Sequence, residues 1–295
     1  MELHLQKTKH PHLKDHQIRY DNLIGLEPQK SELLITLQMI LDKERFNDWE
    51  KKHHKTKLPF LNKGLKLSPL IILSGEVGCG KTELAQTICT PLATLLDKPI
   101  LSLQTPADIR GFGLVGQLSS RITSAFTQAK SELGKDSGIL IIDEADDLAS
   151  SRSQMQSHHE DKAGVNVLIK EIDSIEHDKS KLAVILITNR ISSLDPAVVR
   201  RACLHLEFKR PSNNDLNLIF KHILSGTIED EKLINDLAAF ASEKKIPYSY
   251  SDLFQRVAKQ ALLMAITNDV PFGAAVLMEV LKKTEPTPLI IGNES

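Results

Sequence analysis

Residues 75–82 read Gly75-Glu76-Val77-Gly78-Cys79-Gly80-Lys81-Thr82, the full pattern G-x-x-x-x-G-K-T. The apolar run Leu70–Leu73 before it is typical of a strand, and Leu84 and Ile88 after it have helical spacing. A strand, a glycine-rich loop and a helix in this order form a phosphate-binding loop, in which backbone N–H groups and the helix N-terminus face an anion. The sequence therefore predicts a nucleotide site and a P-loop fold. The alternative is a glycine-rich turn that binds no ligand.

Two side chains at the end of this loop have predicted roles with the nucleotide. Lys81 would place a positive charge beside the β- and γ-phosphates, and the Thr82 hydroxyl would bind Mg²⁺. Cys79 is interpreted as a small filler of the loop, with a redox switch as the alternative. The predicted nucleotide-binding set of this loop is Gly75, Glu76, Val77, Gly78, Cys79, Gly80, Lys81, Thr82 and Glu83.

A second stretch supplies two carboxylates. The apolar run Ile139–Ile142 predicts a buried strand, and Asp143 and Glu144 follow it directly. Ligands collect at the carboxyl ends of parallel strands. Asp143 is therefore predicted to hold Mg²⁺, through water, and Glu144 to orient and polarise an attacking water as a general base. The alternative is an acidic helix cap, which is the interpretation adopted for Asp146 and Asp147.

A third apolar run, Ala183–Ile187, ends in the polar residues Thr188, Asn189 and Arg190. Asn189 is predicted to bridge the γ-phosphate and the attacking water. On its own, an asparagine after a strand is more often a turn residue. The functional interpretation depends on its position after the two preceding motifs.

Short apolar runs alternate with helical segments from about residue 68 to residue 208. The runs are Leu70–Leu73, Ile100–Leu103, Ile139–Ile142 and Ala183–Ile187. They are nearly continuous, which is typical of parallel strands covered on both faces. The predicted fold class is α/β, a P-loop parallel sheet with helices on both faces. Residues 1 to about 67 are expected to be helical or irregular. From Pro211 onward we expect only amphipathic helices, the fourth of them starting at Pro271. The predicted boundaries are 1–20 for an N-terminal tail, 21–210 for the α/β domain, 211–285 for a small helical lid domain and 286–295 for a C-terminal tail.

The composition of the 295-residue chain excludes several classes of protein. Its hydrophobic fraction of 41% and charged fraction of 25% are those of a globular protein, not of a disordered or collagen-like one. The formal net charge of −1 gives no general attraction to nucleic acid or to anionic membranes. Three scattered cysteines, no apolar leader and no apolar run of membrane-spanning length predict a cytoplasmic protein without disulfides.

Four stretches resemble, in the same order, the motifs of the AAA+ ATPases. GEVGCGKT, IIDEAD, ILITNR and LDPAVVRR are similar to the Walker A, Walker B, sensor 1 and arginine-finger segments of that superfamily. The resemblance implies ATP and Mg²⁺ as cofactors, hydrolysis of ATP to ADP and phosphate, and a ring of identical subunits, usually a hexamer. It also implies that Ile24 and Gly25, in the stretch Asn22–Leu26, line the adenine pocket.

The arginine-finger segment leaves two candidates open. The resemblance implies that Arg200 or Arg201 reaches into the site of the neighbouring subunit and stabilises charge in the transition state. The alternative is a pair of surface arginines on a short helix. Well-known members of the superfamily continue with a Gly-Arg-Phe-Asp type of segment, whereas this chain continues with Ala202-Cys203-Leu204-His205.

The segment around Arg201-Ala202, a following strand and Pro211-Ser212 resemble the pachytene-checkpoint branch of the superfamily. Members of that branch remodel HORMA-domain proteins, and bacterial relatives occur in antiphage systems. The loop at 109–117 is similar to a substrate-gripping pore loop, with Phe112, Leu114 and Val115 as the gripping residues. A glycine-rich surface loop is the alternative. In the lid, Arg256 is the candidate for an arginine that senses the γ-phosphate.

These features bear on three possible functions. The leading one is a ring-forming ATPase that couples hydrolysis to remodelling or unfolding of a protein partner, with no membrane association. A nucleic-acid-associated motor or loader would need a basic pore or an added DNA-binding module, and neither is visible in the sequence. A nucleotide-gated scaffold with little turnover would not need Glu144 and Asn189.

Overall fold

The computed structural model describes residues 4–11, 14–54, 56, 58, 67–106, 117–147, 159–178, 180–227 and 231–289. Contacts within the chain divide it into two compact units. The larger unit comprises Met1–Tyr20, Pro28–Ser74 and Thr82–Glu207. The smaller unit comprises Asp21–Glu27, Gly75–Lys81 and Phe208–Ser295.

The larger unit is built on a six-stranded sheet. The strands are β1 Gln6–His10, β2 Leu70–Gly75, β3 Ile100–Gln104, β4 Ser137–Ile142, β5 Leu182–Thr188 and β6 Ala202–Phe208. Their order in the sheet is β1-β3-β4-β5-β2-β6. The β3–β4, β4–β5 and β5–β2 pairs are parallel, which confirms the predicted α/β sheet. Each of the four apolar runs predicted as strands lies in a strand.

Burial on both faces explains why these strands lack an alternating pattern. Every residue of β4 and of β5 is buried. On one face, the sheet packs against α6 (Gln117–Leu133) and α7 (His159–His177) in one apolar cluster. The helix α4 (Lys81–Thr87) follows the glycine-rich loop, and α5 (Cys89–Leu96) packs on β3. Parallel strands covered in this way need apolar side chains at successive positions.

The strand β1 is a correction to the expectation that residues 1–67 are only helical or irregular. Gln6–His10 pairs antiparallel with β3 at the edge of the sheet, inside the segment predicted as a tail. Its sequence QKTKH has no apolar run, because the strand is held by backbone pairing and by ion pairs such as Lys7–Glu132. The helices α1 (Lys14–Asp21), α2 (Glu27–Leu41) and α3 (Lys43–His53) follow as expected.

The smaller unit is helical after β6 in the part of the chain that the structure describes. Its helices are α9 Asn213–Ile223, α10 Glu231–Ser242, a π-helical turn over Asp252–Ala258, α11 Lys259–Thr267 and α12 Ala274–Lys283. Leu216, Phe220, Leu237, Leu253 and Leu277 are buried at its centre. The prediction that a helix starts at Pro271 is wrong. Gly273 has an extended backbone, and α12 begins after it, at Ala274.

None of the helices in the described segments is both long and apolar enough to span a lipid bilayer.

Candidate active site

The glycine-rich loop joins the end of β2 to the start of α4, as its sequence predicts. Gly75, Gly78 and Gly80 all have positive φ angles, of 125°, 73° and 92°. At Gly75 a β-carbon would lie 2.1 Å from the carbonyl oxygen of Phe208, so that only glycine fits there. The Glu76 N–H donates to the same oxygen at 3.1 Å. These backbone conformations are those of an anion-binding loop.

Lys81 lies over this loop. Its ammonium donates to the carbonyl oxygens of Gly75 and Glu76, each at 2.7 Å, and the residue is only 6% exposed. A buried ammonium needs such partners, because burial of an unpaired charge is costly. The positive charge is therefore held at the loop, where the sequence predicts phosphate binding.

Cys79 is buried within the loop, and burial raises the pKa of its thiol to about 11. A thiol with this pKa is protonated at neutral pH and reacts slowly. The structure thus favours the filler interpretation over the redox switch.

The predicted adenine-pocket segment lies beside the loop within the smaller unit. A β-carbon at Gly80 would come within 2.9 Å of Leu26 and 3.4 Å of Leu23, so these leucines cover that end of the loop. Gly25, with φ of 77°, passes close to the Tyr250 hydroxyl and to Asp215. Ile24, which precedes Gly25 in the chain, is half-buried.

In the larger unit, the two residues predicted to hold Mg²⁺ are in contact. The Thr82 hydroxyl donates to Oδ2 of Asp143 at 2.8 Å. Asp143 follows β4 directly, and its Oδ1 accepts from the Glu144 N–H at 2.8 Å. A hydroxyl and a carboxylate are the oxygen ligands that Mg²⁺ binds in nucleotide sites. The residues present therefore fit a magnesium ion.

Within the described segments, no cluster of three or more His, Cys, Asp or Glu side chains could hold a metal ion. Mg²⁺ typically keeps several waters and takes only one or two protein carboxylates together with substrate phosphates. Thr82 and Asp143 are consistent with a site of this kind and not with an all-protein cage.

Glu144 has an unusual backbone. Its φ angle is 54°, in the left-handed region, and its side chain is exposed. A non-glycine residue in this region costs on the order of 1 kcal/mol, and such residues cluster at functional sites. The conformation places an exposed carboxylate directly after the strand that carries Asp143.

Asn189 and Glu144 follow neighbouring strands. Ile142 of β4 pairs with Leu186 of β5, and Ser74 of β2 pairs with Thr188, so these parallel strands end at one edge of the sheet. The structure thus brings the ends of the three strands that precede the predicted motifs to the same edge. The Asn189 side chain is exposed there.

Asp146 and Asp147 lie in a 3₁₀ turn, Ala145–Asp147. Their predicted role as caps of a following helix stays a prediction, because residues 148–158 lie outside the described residues. Asp146 accepts a hydrogen bond from the Thr188 hydroxyl, whose oxygen also accepts from the Arg190 N–H at 3.0 Å. This link between β4 and β5 was missed because nothing in either local sequence indicates that the two residues pair.

The structure distinguishes the two candidate finger arginines. Arg201 forms a forked ion pair with Asp173 of α7, with distances of 3.0 and 3.3 Å, and donates to the Ala197 carbonyl oxygen at 3.0 Å. Arg200, the preceding residue, ends the short helix α8 (Pro196–Val199), and its side chain is exposed.

Glu83, predicted as part of the nucleotide-binding set, has a partner from the N-terminal region. The Arg19 guanidinium grips its two oxygens at 2.7 and 2.8 Å, and donates to Gln86 at 3.1 Å. The hydrogen bond to Glu83 raises the pKa of Arg19. The role of Arg19 was not predictable from the sequence, because a pairing between residues 64 positions apart leaves no local pattern.

Two further predictions concern Arg256 and the pore loop. Arg256 donates to Asp252 at 2.8 Å and to the Glu285 carbonyl oxygen at 3.0 Å, and its role as a sensor of the γ-phosphate stays a prediction. The predicted pore-loop residues Phe112, Leu114 and Val115 lie outside the described residues.

Comparisons with known proteins agree with this geometry. The model of the ATPase family associated with various cellular activities (AAA) matches residues 71–211. A CD-NTase-associated protein 6 from Escherichia coli strain MS 115-1 is 34% identical over 293 residues, which cover 94% of this chain and 93% of that protein.

Two solved structures are similar along almost the whole chain. One is described as the E. coli MS115-1 HORMA:CdnC:Trip13 complex, with a TM-score of 0.90, 32% identity and coverage of 98% of both chains. The other is described as Rhizobiales Trip13, with a TM-score of 0.75, 29% identity and coverage of 96% of this chain and 98% of that one.

Proposed function

This chain belongs to the AAA family of ATPases, and from that membership we propose that it hydrolyses ATP with Mg²⁺ in order to remodel a HORMA-domain protein. The observation that carries the catalytic part is the contact between Thr82 and Asp143, at 2.8 Å. It joins the residue after Lys81 to the carboxyl end of β4. Residues of these types at these positions are what phosphoryl transfer from ATP requires.

In this proposal each group of the site has one task. The loop amides and Lys81 bind the phosphates. Mg²⁺ would be held by Thr82 and Asp143, and would neutralise charge on the phosphate oxygens. Glu144 orients a water and accepts its proton as the water attacks the γ-phosphorus and the bond to the bridging oxygen breaks. Asn189 hydrogen-bonds the water and the γ-phosphate.

We assign the arginine that acts across the subunit interface to Arg200, in a ring that we propose to be hexameric. Arg201 is held within its own subunit by Asp173 and by the Ala197 carbonyl oxygen. An arginine finger must instead reach a phosphate in the neighbouring site, where it is worth about 10³–10⁵ in rate. The exposed Arg200 satisfies that condition without breaking an ion pair to any residue in the described segments.

The partner is proposed from two observations. A structure with a TM-score of 0.90 to this chain is described as a complex that includes a HORMA protein. A relative that is 34% identical is a CD-NTase-associated protein. We propose accordingly that this chain acts on a bacterial HORMA-domain protein in antiphage defence.

The experiment is capture of the partner on a trapped enzyme. Glu144→Gln keeps the nucleotide-binding loop but removes the proton acceptor, so we expect it to bind ATP, to lose about 10²-fold or more of turnover and to retain a purified HORMA protein of the same genome. Retention is measured by size-exclusion chromatography with ATP.

Lys81→Ala is the matched control, since it lacks the phosphate charge and is expected to retain neither ATP nor the partner. Rapid ATP turnover by Glu144→Gln would contradict the role of Glu144. Binding of ATP without retention of any HORMA protein would contradict the proposed partner.

A further inference from the structure

The chain after α12 forms an extended segment, Thr284–Leu289, which we call the strap. Sequence analysis treats its last residues as a tail, because the prolines at 286 and 288 cannot continue a helix. The structure gives it several fixed contacts within the smaller unit. The buried Tyr248 hydroxyl donates to the Thr284 carbonyl oxygen at 2.6 Å, and Arg256 donates to the Glu285 carbonyl oxygen at 3.0 Å.

The first connection from the strap to the phosphate-binding loop runs through Arg210. Its guanidinium donates to the carbonyl oxygens of Thr287, at 2.8 Å, and Pro288, at 3.0 Å. The same group donates to Oε2 of Glu76 at 3.3 Å, and its side chain is only 5% exposed. One buried cation therefore holds the strap and the second residue of the loop together.

The second connection runs through Asp252, whose side chain is 1% exposed. Its Oδ2 accepts from the Thr287 N–H at 3.2 Å and from the Thr287 hydroxyl at 2.9 Å. The same oxygen accepts from the Ser249 N–H at 3.0 Å. The strap therefore supports the turn that starts the π-helical segment.

The turn between Ser249 and Asp252 also contacts the phosphate-binding loop. The Ser251 N–H donates to the Gly78 carbonyl oxygen at 3.0 Å. A β-carbon at Gly78 would lie 2.8 Å from that of Ser251, so the two backbones are in close contact. Thr287 is consequently linked to both Glu76 and Gly78 by groups that are themselves hydrogen-bonded.

We propose that the strap is a positioning element for the phosphate-binding loop, which holds Glu76 through Arg210 and Gly78 through Asp252 and so sets nucleotide affinity. This rests on the proposed function, in which the loop binds ATP. A loop whose amides are already oriented loses less conformational entropy on binding than a loose one. Detachment of the strap is therefore expected to weaken nucleotide binding and to leave the hydrolysis step nearly unchanged.

The test compares two shortened proteins. One ends after Pro286 and lacks the two carbonyl groups of the strap that Arg210 binds, while the bond from Arg210 to the Pro247 carbonyl oxygen remains. Its matched control ends after Leu289 and keeps them. We expect the Kd for a fluorescent ADP analogue and the KM for ATP to rise roughly tenfold in the first, with kcat within about twofold of the full chain, and to be unchanged in the control.

Full-length variants provide a second comparison. Thr287→Val removes one hydroxyl that donates to Asp252 and should raise Kd about threefold, in the same direction as the truncation. Lys244→Ala removes an ion pair to Glu285, which is 76% exposed, and a cation–π contact with Phe240, and it should leave Kd unchanged. Arg210→Ala combined with the Pro286 truncation should weaken binding by less than the sum of the two separate losses, because both changes remove the hydrogen bonds between Arg210 and the strap.

The outcomes separate this inference from the proposed function. An unchanged Kd and KM in both the Pro286 truncation and Thr287→Val overturns the strap, while the full chain still binds ADP. A fall in kcat without a rise in Kd also overturns it, since that pattern indicates a different role. Failure of the full chain itself to bind ADP contradicts the proposed function.

Discussion

At the scale of single residues, the site depends on polar groups whose partners are fixed before any ligand binds. Lys81 is held by two carbonyl oxygens of its own loop, and Thr82 by the Asp143 carboxylate. Glu144 has a left-handed backbone and an exposed side chain. Groups that are already oriented in this way can act on charge in a transition state with little reorganisation.

Cys79 gives a prediction at this scale. Burial raises the pKa of its thiol well above the usual range, to about 11. Burial likewise raises the pKa of Cys89 to about 12 and that of Cys203 to about 11. Because only the thiolate is nucleophilic, a rise of this size cuts its fraction at pH 8 by about 100-fold.

We therefore expect the folded protein to react slowly with a thiol reagent at pH 8, and the unfolded protein to react quickly at all three cysteines. Peptide mapping by mass spectrometry identifies the sites. The raised pKa also means that the folded state holds these protons more tightly. Its contribution to stability is complete below about pH 9 and is lost as the pH rises towards about 11. Rapid labelling of Cys79 in the folded protein would restore the redox-switch interpretation.

At the scale of elements, side-chain contacts fix the ends of the strands. The hydrogen bond from Thr188 to Asp146 links the end of β5 to the turn after β4. Asn189 follows Thr188 directly, so its position depends on this link. A misplacement of about 1 Å at a reacting group can cost about 10²-fold in rate.

Thr188→Val tests that dependence, because it removes the hydroxyl and keeps the shape of the side chain. We expect kcat for ATP hydrolysis to fall about tenfold with KM within about twofold. Ser193→Ala is the control, since it removes a hydrogen bond to the Arg190 carbonyl oxygen in the same segment. Equal losses in the two variants would show that Thr188 has no special role in positioning.

Some of the strands and site residues could be predicted from the sequence and others could not. The strands β2, β3, β4 and β5 were predictable, because strands buried on both faces need continuous apolar runs. The strand β1 was not, since an edge strand such as QKTKH is held by backbone pairing. Residues next to conspicuous motifs were predictable as a set. The residues that support them were not, because Arg19, Asp146 and Arg210 pair with positions far away in the sequence.

At the scale of the whole molecule, the two units have distinct contents. The larger unit carries the parallel sheet with Asp143, Glu144 and Asn189, and the smaller one carries the glycine-rich loop and the strap. The similarity of this protein to the Trip13 structures extends over almost the full chain, and so over both units. The family resemblance leads to the proposal of a ring, and the contacts that hold Arg201 within its own subunit lead to the choice of Arg200 as the residue that a neighbour supplies.

The decisive measurement is the rate of phosphate release from ATP by Lys81→Ala and Arg200→Ala subunits, separately and mixed in equal amounts. Each variant alone is expected to lose about 10³-fold in rate, because one lacks the phosphate charge and the other the finger. In the mixture, head-to-tail interfaces pair an intact Lys81 with a neighbour's intact Arg200 at about a quarter of the sites. The mixture should therefore regain a clear part of the wild-type rate. Arg201→Ala alone should lose a smaller fraction of the rate than Arg200→Ala alone. A mixture as inactive as its components, or a wild-type protein that releases no phosphate, would contradict a site shared between neighbouring subunits.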